Sequence, residues 1–187
     1  MKASIMIAAA ALALAGCAGA PEKQSAAPAA AATAGQAKEY YVVLPEDGRM
    51  YAFGRAKDYL DFLAHGEVTL TRTRIGVGPN GKTVVFGITK DDVKRNTPSL
   101  GELVFDGKLE GAADFHGEVF KDGRYYVFGV LKDMKSFVAF GEVPYSFTDI
   151  GAGPKGATVI WVMNKDSIKK GRPTATIERF NSLRAGK

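Results

Sequence analysis

The feature that most constrains this chain of 187 residues is an internal duplication. Residues 47–94 align without a gap with residues 122–169, at a constant offset of 75, and 24 of the 48 aligned positions are identical. The segment DGRMYAFG matches DGRYYVFG, and TRIGVGPNGKTVVF matches TDIGAGPKGATVIW. This agreement predicts two copies of one folding unit, so any account of the fold has to apply to both.

Each copy carries the same succession of local signals. Two β-prone runs joined by an Asp-Gly turn predict a hairpin over residues 40–53, and the same signals recur over residues 118–128. Apolar residues at three- and four-residue steps then predict a short helix that ends at Gly66 in the first copy and at Gly141 in the second. Two further strands are predicted in each copy, at 68–75 and 83–88 and at 143–150 and 158–163. The predicted unit is therefore β-β-α-β-β.

A unit of about 60 residues buries little surface, so we expect the two units to share one core. The predicted fold is an α+β domain with pseudo-twofold symmetry, whose helices pack on one side of a mostly antiparallel sheet or pair of sheets. Repeat 1 is assigned to residues 39–95 and repeat 2 to residues 117–170. A connecting hairpin is predicted at 96–116, turning at Asp106-Gly107. The symmetry can form within one chain or by exchange between two chains.

If the connecting hairpin belongs to the first unit, the order becomes β-α-β-β-β. That order resembles the modules of the vicinal-oxygen-chelate superfamily, whose members bind a metal ion through His and Glu side chains on the sheet. Here His65 ends a predicted helix and its counterpart is Phe140, so the resemblance does not extend to the metal site.

The N-terminus has the pattern of an export signal. A short basic start precedes ten apolar residues at 5–14, which are too few to span a bilayer as a helix but suit the core of a signal peptide. The sequence LAGC at residues 14–17 contains the only cysteine and resembles the lipobox of bacterial lipoproteins. The resemblance implies that a signal peptide of residues 1–16 is removed and that Cys17 is acylated. Because Ala18 follows rather than aspartate, it also implies the outer membrane of a Gram-negative cell.

Residues 17–38 are predicted to be the lipidated cysteine and a flexible tether. Between residues 18 and 38 there is no Val, Ile, Leu, Met or aromatic side chain, so this segment has nothing with which to build a core. Two or more acyl chains on one cysteine hold a protein stably at a membrane without a transmembrane helix. We therefore expect a membrane-anchored protein whose folded part begins near residue 39.

The composition excludes several kinds of reactive centre. One cysteine rules out a disulfide framework, a four-cysteine zinc site and a CxxC pair, and the two histidines, His65 and His116, argue against a histidine-rich metal centre. We therefore expect no cofactor, no metal ion and no enzymatic activity. The alternative is a small-ligand carrier or enzyme with a pocket between the repeats, where Glu67 and Glu142 converge as an acid–base pair.

Differences between the copies suggest where a partner binds. The first copy has a basic and polar set where the second has a mainly apolar one: Arg55, His65, Arg72 and Arg74 against Val130, Phe140, Phe147 and Asp149. In one interpretation, Phe140 and Phe147 pack in the shared core or under the C-terminal tail. In the other, Tyr145, Phe147 and Trp161 line a groove for a partner strand, a glycan or a small apolar ligand.

The C-terminal part of the chain is rich in positive charge. Residues 171–187 are predicted to form a basic tail, with a short helix over 176–183. The tail is either solvated or, together with Lys169, Lys170 and Arg172, in contact with anionic lipid or cell-wall polymer.

The function predicted from the sequence is that of a non-enzymatic lipoprotein, anchored in the outer membrane and facing the periplasm. Its duplicated domain binds another envelope component, which is a protein, the cell wall or anionic lipid. A structural role in a larger complex is a further alternative and predicts an exposed strand edge. Nucleic acid is not an expected partner, because no stacking motif accompanies the basic segment. The sequence leaves the oligomeric state open.

Overall fold

A computed structural model describes residues 35–185, which form an α+β fold with one mixed, mostly antiparallel sheet of eight strands and five helices. The strands are β1 (Gln36–Leu44), β2 (Arg49–Phe53), β3 (Thr71–Arg74), β4 (Thr83–Gly87), β5 (Glu110–Lys121), β6 (Arg124–Phe128), β7 (Tyr145–Asp149) and β8 (Thr158–Met163). The helices are α1 (Ala56–His65), α2 (Lys90–Arg95), α3 (Leu100–Phe105), α4 (Leu131–Phe140) and α5 (Thr174–Ala185).

The strand order across the sheet is β3-β4-β2-β1-β5-β6-β8-β7. The central pair, β1 and β5, runs parallel, as do β2 with β4 and β6 with β8, while the other four neighbouring pairs are antiparallel. These pairings make β1, β3, β5 and β7 run in one direction. The chain therefore enters the sheet at one end, at Gln36, whereas Ile75 and Ile150 follow β3 and β7 at the opposite end.

Helices cover both faces of the sheet, so the prediction that all helices lie on one side is wrong. In β1 the adjacent residues Tyr40 and Tyr41 point to opposite faces. Tyr41 stacks on Tyr59 of α1 with ring centroids 4.8 Å apart, whereas Tyr40 belongs to the cluster that includes Val104 of α3. We call the face that carries α1 and α5 the α1 face, and the face that carries α3 and α4 the α4 face.

Local signals placed the hairpins and the helices α1 and α4 correctly. The Asp-Gly turns join β1 to β2 and β5 to β6 in antiparallel pairs. Helices α1 and α4 end at Gly66 and Gly141, whose φ angles of 78° and 76° are the left-handed values that glycine adopts without strain. The predicted strands at 68–75 and 143–150 are shorter than expected and form only at Thr71–Arg74 and Tyr145–Asp149.

The predicted connecting hairpin at 96–116 is wrong. Residues Leu100–Phe105 form helix α3, and β5 already begins at Glu110. The Ser99 side chain accepts a hydrogen bond from the backbone of Glu102, and the Glu102 side chain accepts one from the backbone of Ser99. This reciprocal capping box favours a helix at this point. The order β-α-β-β-β is excluded with the hairpin, since its extra strand does not form.

The two ends of the described chain are more ordered than predicted. Strand β1 starts at Gln36, inside the predicted tether, because Gln36 and Ala37 pair with Glu110 and Gly111 of β5. The predicted basic tail of 171–187 contains helix α5, which is longer than the expected 176–183 and buries Phe180 against the sheet. The predicted signal peptide, Cys17 and most of the tether lie outside the described residues.

Candidate functional site

The candidate site is a groove of about 540 Å³ on the α1 face, over β2, β4 and β3, which we call the first groove. Helix α1 packs on β1 and β2 and ends at Gly66, so it leaves the outer strands β4 and β3 uncovered on this face. The groove is lined by Arg49, Tyr51, Phe62, Gly66, Glu67, Val68, Thr71, Thr73, Ile75, Thr83 and Val85.

Strand alternation determines which side chains face the first groove. In β3, Thr71 and Thr73 point to the α1 face, while Arg72 and Arg74 point to the α4 face. Ile75 follows the strand and is 84% exposed. The floor of the first groove is formed by packed side chains, since the ring of Tyr51 packs on that of Phe62 in α1 with centroids 4.4 Å apart.

Equivalent side chains occur 75 positions later, over β6, β8 and β7, on the α4 face. Tyr126 packs on Phe137 of α4 with ring centroids 4.4 Å apart, at an interplanar angle of 31° compared with 33° for Tyr51 and Phe62. Ile150 is 88% exposed, like Ile75. We call the surface formed by the residues equivalent to the lining of the first groove the second groove, a name that rests on this equivalence of residues.

The lining residues of the two grooves are nearly the same. Nine of the eleven residues of the first groove are identical to the residue 75 positions later, against 15 of the remaining 37 aligned positions. The two exceptions are conservative, with Ser146 in place of Thr71 and Ile160 in place of Val85. The lining residues are therefore more similar between the two aligned segments than the remaining positions are.

The first groove carries one cation and one anion. Arg49 is exposed and donates one hydrogen bond, of 3.4 Å, to the hydroxyl of Tyr51, and this bond raises the pKa of the guanidinium. Glu67 is exposed and forms no hydrogen bond or ion pair with another described residue. The second groove has Arg124 and Glu142 at the same positions.

The basic set predicted in the first copy is largely neutralised by α3. Arg72 and Arg74 donate to the two carboxylate oxygens of Glu102 at 2.7 and 2.8 Å, and Arg74 also pairs with Asp106 at 2.7 Å. Glu102 is almost fully buried. Burial would raise the pKa of its carboxyl, but hydrogen bonds from the Ser99 backbone and from the two arginines outweigh burial and lower it. Arg72 and Arg74 thus fix α3 to the sheet.

A second buried carboxylate, Glu118 in β5, lies between α1 and α5 on the α1 face. It has no exposed surface, and Arg184 of α5 donates to its two oxygens at 3.0 and 2.5 Å. The Nε2 atom of buried His116 lies 3.0 Å from the same carboxylate. Burial would raise the pKa of Glu118, but these hydrogen bonds hold it below its usual value. The Glu118 carboxylate is closed to solvent, and the network fastens α5 to the sheet.

Two of the six predicted partner-binding residues, Trp161 and Arg172, meet at Asp149. The Trp161 indole donates to Asp149 at 2.7 Å, and Arg172 forms an ion pair with the same carboxylate, so the pKa of Asp149 is lowered. Trp161 is only 2% exposed, and Phe147 packs with it in the cluster beneath Phe180. The interpretation that Phe147 packs under the C-terminal segment is the one that the structure favours.

The other predicted site residues do not form one surface with these. Tyr145, at the start of the edge strand β7, is partly exposed. Lys169 and Lys170 are exposed in a short 3₁₀ turn before Arg172, and Lys169 lies 3.7 Å from Asp166. The predicted lipidation site, Cys17, lies outside the described residues.

The proposed convergence of Glu67 and Glu142 does not occur. The two residues follow α1 and α4, which lie on opposite faces of the sheet, and both side chains are exposed. Within residues 35–185, no group of three or more His, Cys, Asp or Glu side chains is placed to bind a metal ion. No helix in this part of the chain is long and apolar enough to cross a membrane.

The two helices that follow the hairpins differ on their outer surfaces. Beside α4 there is a groove of about 630 Å³ where Val130 and Phe140 are exposed, the latter by 77%, next to Lys132 and Lys135. The prediction that Phe140 packs in the core or under the tail is therefore wrong. Its counterpart beside α1 is His65.

The sequence analysis did not single out the grooves, although a signal for them was present. Thr73 and Ile75 recur as Thr148 and Ile150, yet neither position is buried in the structure. Packing in a core explains a recurring apolar residue, but it does not explain recurring exposed residues on an outer strand.

No protein-family model matches the sequence, and no curated protein or solved structure is significantly similar to it. The residues of the grooves therefore carry the functional argument by themselves.

Proposed function

We propose that the protein is a non-enzymatic bacterial lipoprotein, anchored in the outer membrane through Cys17 and facing the periplasm. Its folded part binds another component of the envelope through the two grooves. The lipobox at residues 14–17 supports the anchor, since the only cysteine stands where acylation requires it.

We further propose that the fold is a tandem duplication with an internal pseudo-twofold axis parallel to the strands. Such an axis relates β1 to β5 as parallel neighbours and exchanges the two faces of the sheet. Three features support it: the parallel central pair, the placement of α1 and α4 on opposite faces, and the matched helix ends at Gly66 and Gly141.

The observation that carries the binding function is the near identity of the two grooves. After a duplication, positions that are not needed for folding or function drift apart, as the exposed His65 and Phe140 at the ends of α1 and α4 have done. Nine of the eleven lining residues remain identical. The lining is exposed or half-buried for most of its residues, so a shared ligand explains its retention better than a shared core does.

The anchor and the binding surface are tested together in cells. A photo-crosslinking amino acid is placed at Thr73 or at Thr148, with Asn181 on the exposed side of α5 as the matched control. We expect specific adducts from the two groove positions and none from Asn181. In parallel, a fatty-acid label should be incorporated by the natural chain and lost in Cys17→Ser. Equal adducts from all three positions, or label retained in Cys17→Ser, would contradict the proposal.

A further inference from the structure

The polar side chains of the first groove have unused hydrogen-bonding capacity. Among residues 35–185, the hydroxyls of Thr71, Thr73 and Thr83 make no side-chain hydrogen bond, and Glu67 makes none either. Arg49 uses one of its five N–H donors, on Tyr51. Outside the grooves, six of the seven described arginines have carboxylate partners, namely Arg55, Arg72, Arg74, Arg172, Arg179 and Arg184. The lining therefore presents donors and acceptors that the fold itself does not use.

The charge of this lining restricts the ligand. The arginine and the glutamate of each groove cancel, so neither groove offers the excess of positive charge that nucleic acids and polyphosphates require. The lining also includes the aliphatic side chains of Val68, Ile75 and Val85. A complementary ligand is uncharged overall, carries many hydroxyl or amide groups, and has C–H surface between them. Sugar rings combine these properties.

The presence of two similar grooves further restricts the kind of ligand that the protein can bind. Because the grooves lie on opposite faces of one sheet, a single small ligand cannot bridge them, and the near identity of their linings predicts the same ligand in both. A polymer of repeating units presents many copies of one epitope. It can therefore occupy both sites at once and gain affinity from the linkage.

We infer that each groove binds a short segment of a glycan chain, so that one protein molecule holds two segments, one on each face of the sheet. This inference rests on the proposed function, of which it specifies the ligand class. Arg49 and Glu67 in the first groove, and Arg124 and Glu142 in the second, hydrogen-bond the sugar substituents. The threonine hydroxyls of the outer strands line the remainder of each site.

Equilibrium dialysis of the full-length protein in detergent tests the inference through the amount of ligand bound. The probes are a labelled hexamer of N-acetylglucosamine and a labelled hexamer of glucose, which distinguish recognition of acetamido groups from recognition of hydroxyls alone. We expect about two moles of one hexamer bound per mole of protein. Thr73→Arg and Thr148→Arg each fill one groove with a long side chain, so each should reduce the bound amount to about one mole, and the double variant should bind none.

Asn181→Arg is the matched control, because it adds the same side chain on the exposed side of α5 and should leave two moles bound. The urea midpoints of all variants should agree with that of the natural protein, since all three positions are exposed. Absence of binding to both hexamers, or binding that the double variant retains, would overturn the inference. If dialysis shows no binding while Thr73 and Thr148 still form protein adducts in cells, the inference that the ligand is a glycan is wrong and the proposed function stands. If both experiments are negative, both proposals fail.

Discussion

Replacing Arg184 with methionine tests the ion pair that fastens α5 to the sheet. The guanidinium donates to both oxygens of Glu118, which has no exposed surface, and lies 3.6 Å from the centroid of the Phe180 ring. Methionine keeps an unbranched apolar stem against that ring but removes the charge and the donors. We expect Arg184→Met to lower the free energy of unfolding at pH 7 by about 3–5 kcal/mol, because it leaves a buried carboxylate without its cationic partner.

The matched control is Arg179→Met on the same helix. Arg179 is about half exposed and lies 3.5 Å from Glu39, so the loss of this ion pair should cost about 0–1 kcal/mol. Adding Glu118→Gln to Arg184→Met removes the stranded charge. The double variant should therefore be more stable than Arg184→Met alone.

The assay is urea unfolding followed by the fluorescence of Trp161, the only tryptophan, at several pH values. The expected loss corresponds to a melting temperature lower by about 6–20 °C. The pKa of Glu118 lies below its usual value in the folded protein, so the stability from this group is present above the unfolded pKa of about 4.3 and is lost as the pH falls through the folded pKa. The gap between the natural protein and Arg184→Met should narrow accordingly in acid. Equal losses for Arg184→Met and Arg179→Met, or a gap that does not change in acid, would refute the reasoning.

Three further substitutions test how α3 and α5 are held on the sheet. Glu102→Ala leaves Arg72 and Arg74 without their shared carboxylate and should cost roughly 3 kcal/mol in urea unfolding, whereas Asp106→Ala, at a more exposed site, should cost less than about 1 kcal/mol. Similar losses for these two would argue against the role of Glu102. Phe180→Ala opens a cavity between Tyr125 and Trp161 and should cost about 3–5 kcal/mol by calorimetry or urea unfolding. A cost below 1 kcal/mol would mean that α5 contributes little to the core.

Signals that depend on a few neighbouring residues gave correct predictions. The Asp-Gly turns produce hairpins, and glycine ends α1 and α4, because both depend on local backbone geometry. Where two local signals competed, the prediction was wrong. Asp106-Gly107 favoured a hairpin, while the capping box of Ser99 and Glu102 favoured a helix, and the helix forms because Glu102 also binds Arg72 and Arg74 of a distant strand.

The buried networks could not be predicted in this way. Glu118 stands in a strand whose alternation gives no sign that this position is covered, and its partner Arg184 follows 66 residues later, in a segment that looks like a basic tail. The same holds for Trp161, whose polar atom is satisfied by Asp149 and whose ring is covered by Phe180. From the sequence, each of these side chains looks free to bind another molecule. The residue that it contacts within the fold lies far away along the chain.

The sequence by itself determined the two hairpins, the helices α1 and α4, and the recurrence of residues at an offset of 75. The tertiary structure alone decided that β1 and β5 pair in parallel, and this pairing places helices on both faces and the two grooves on opposite sides. The physical reason is that turns and helix ends depend on interactions over a few residues. Strand order and burial depend on contacts between distant segments, which form only when the two halves pack on one another.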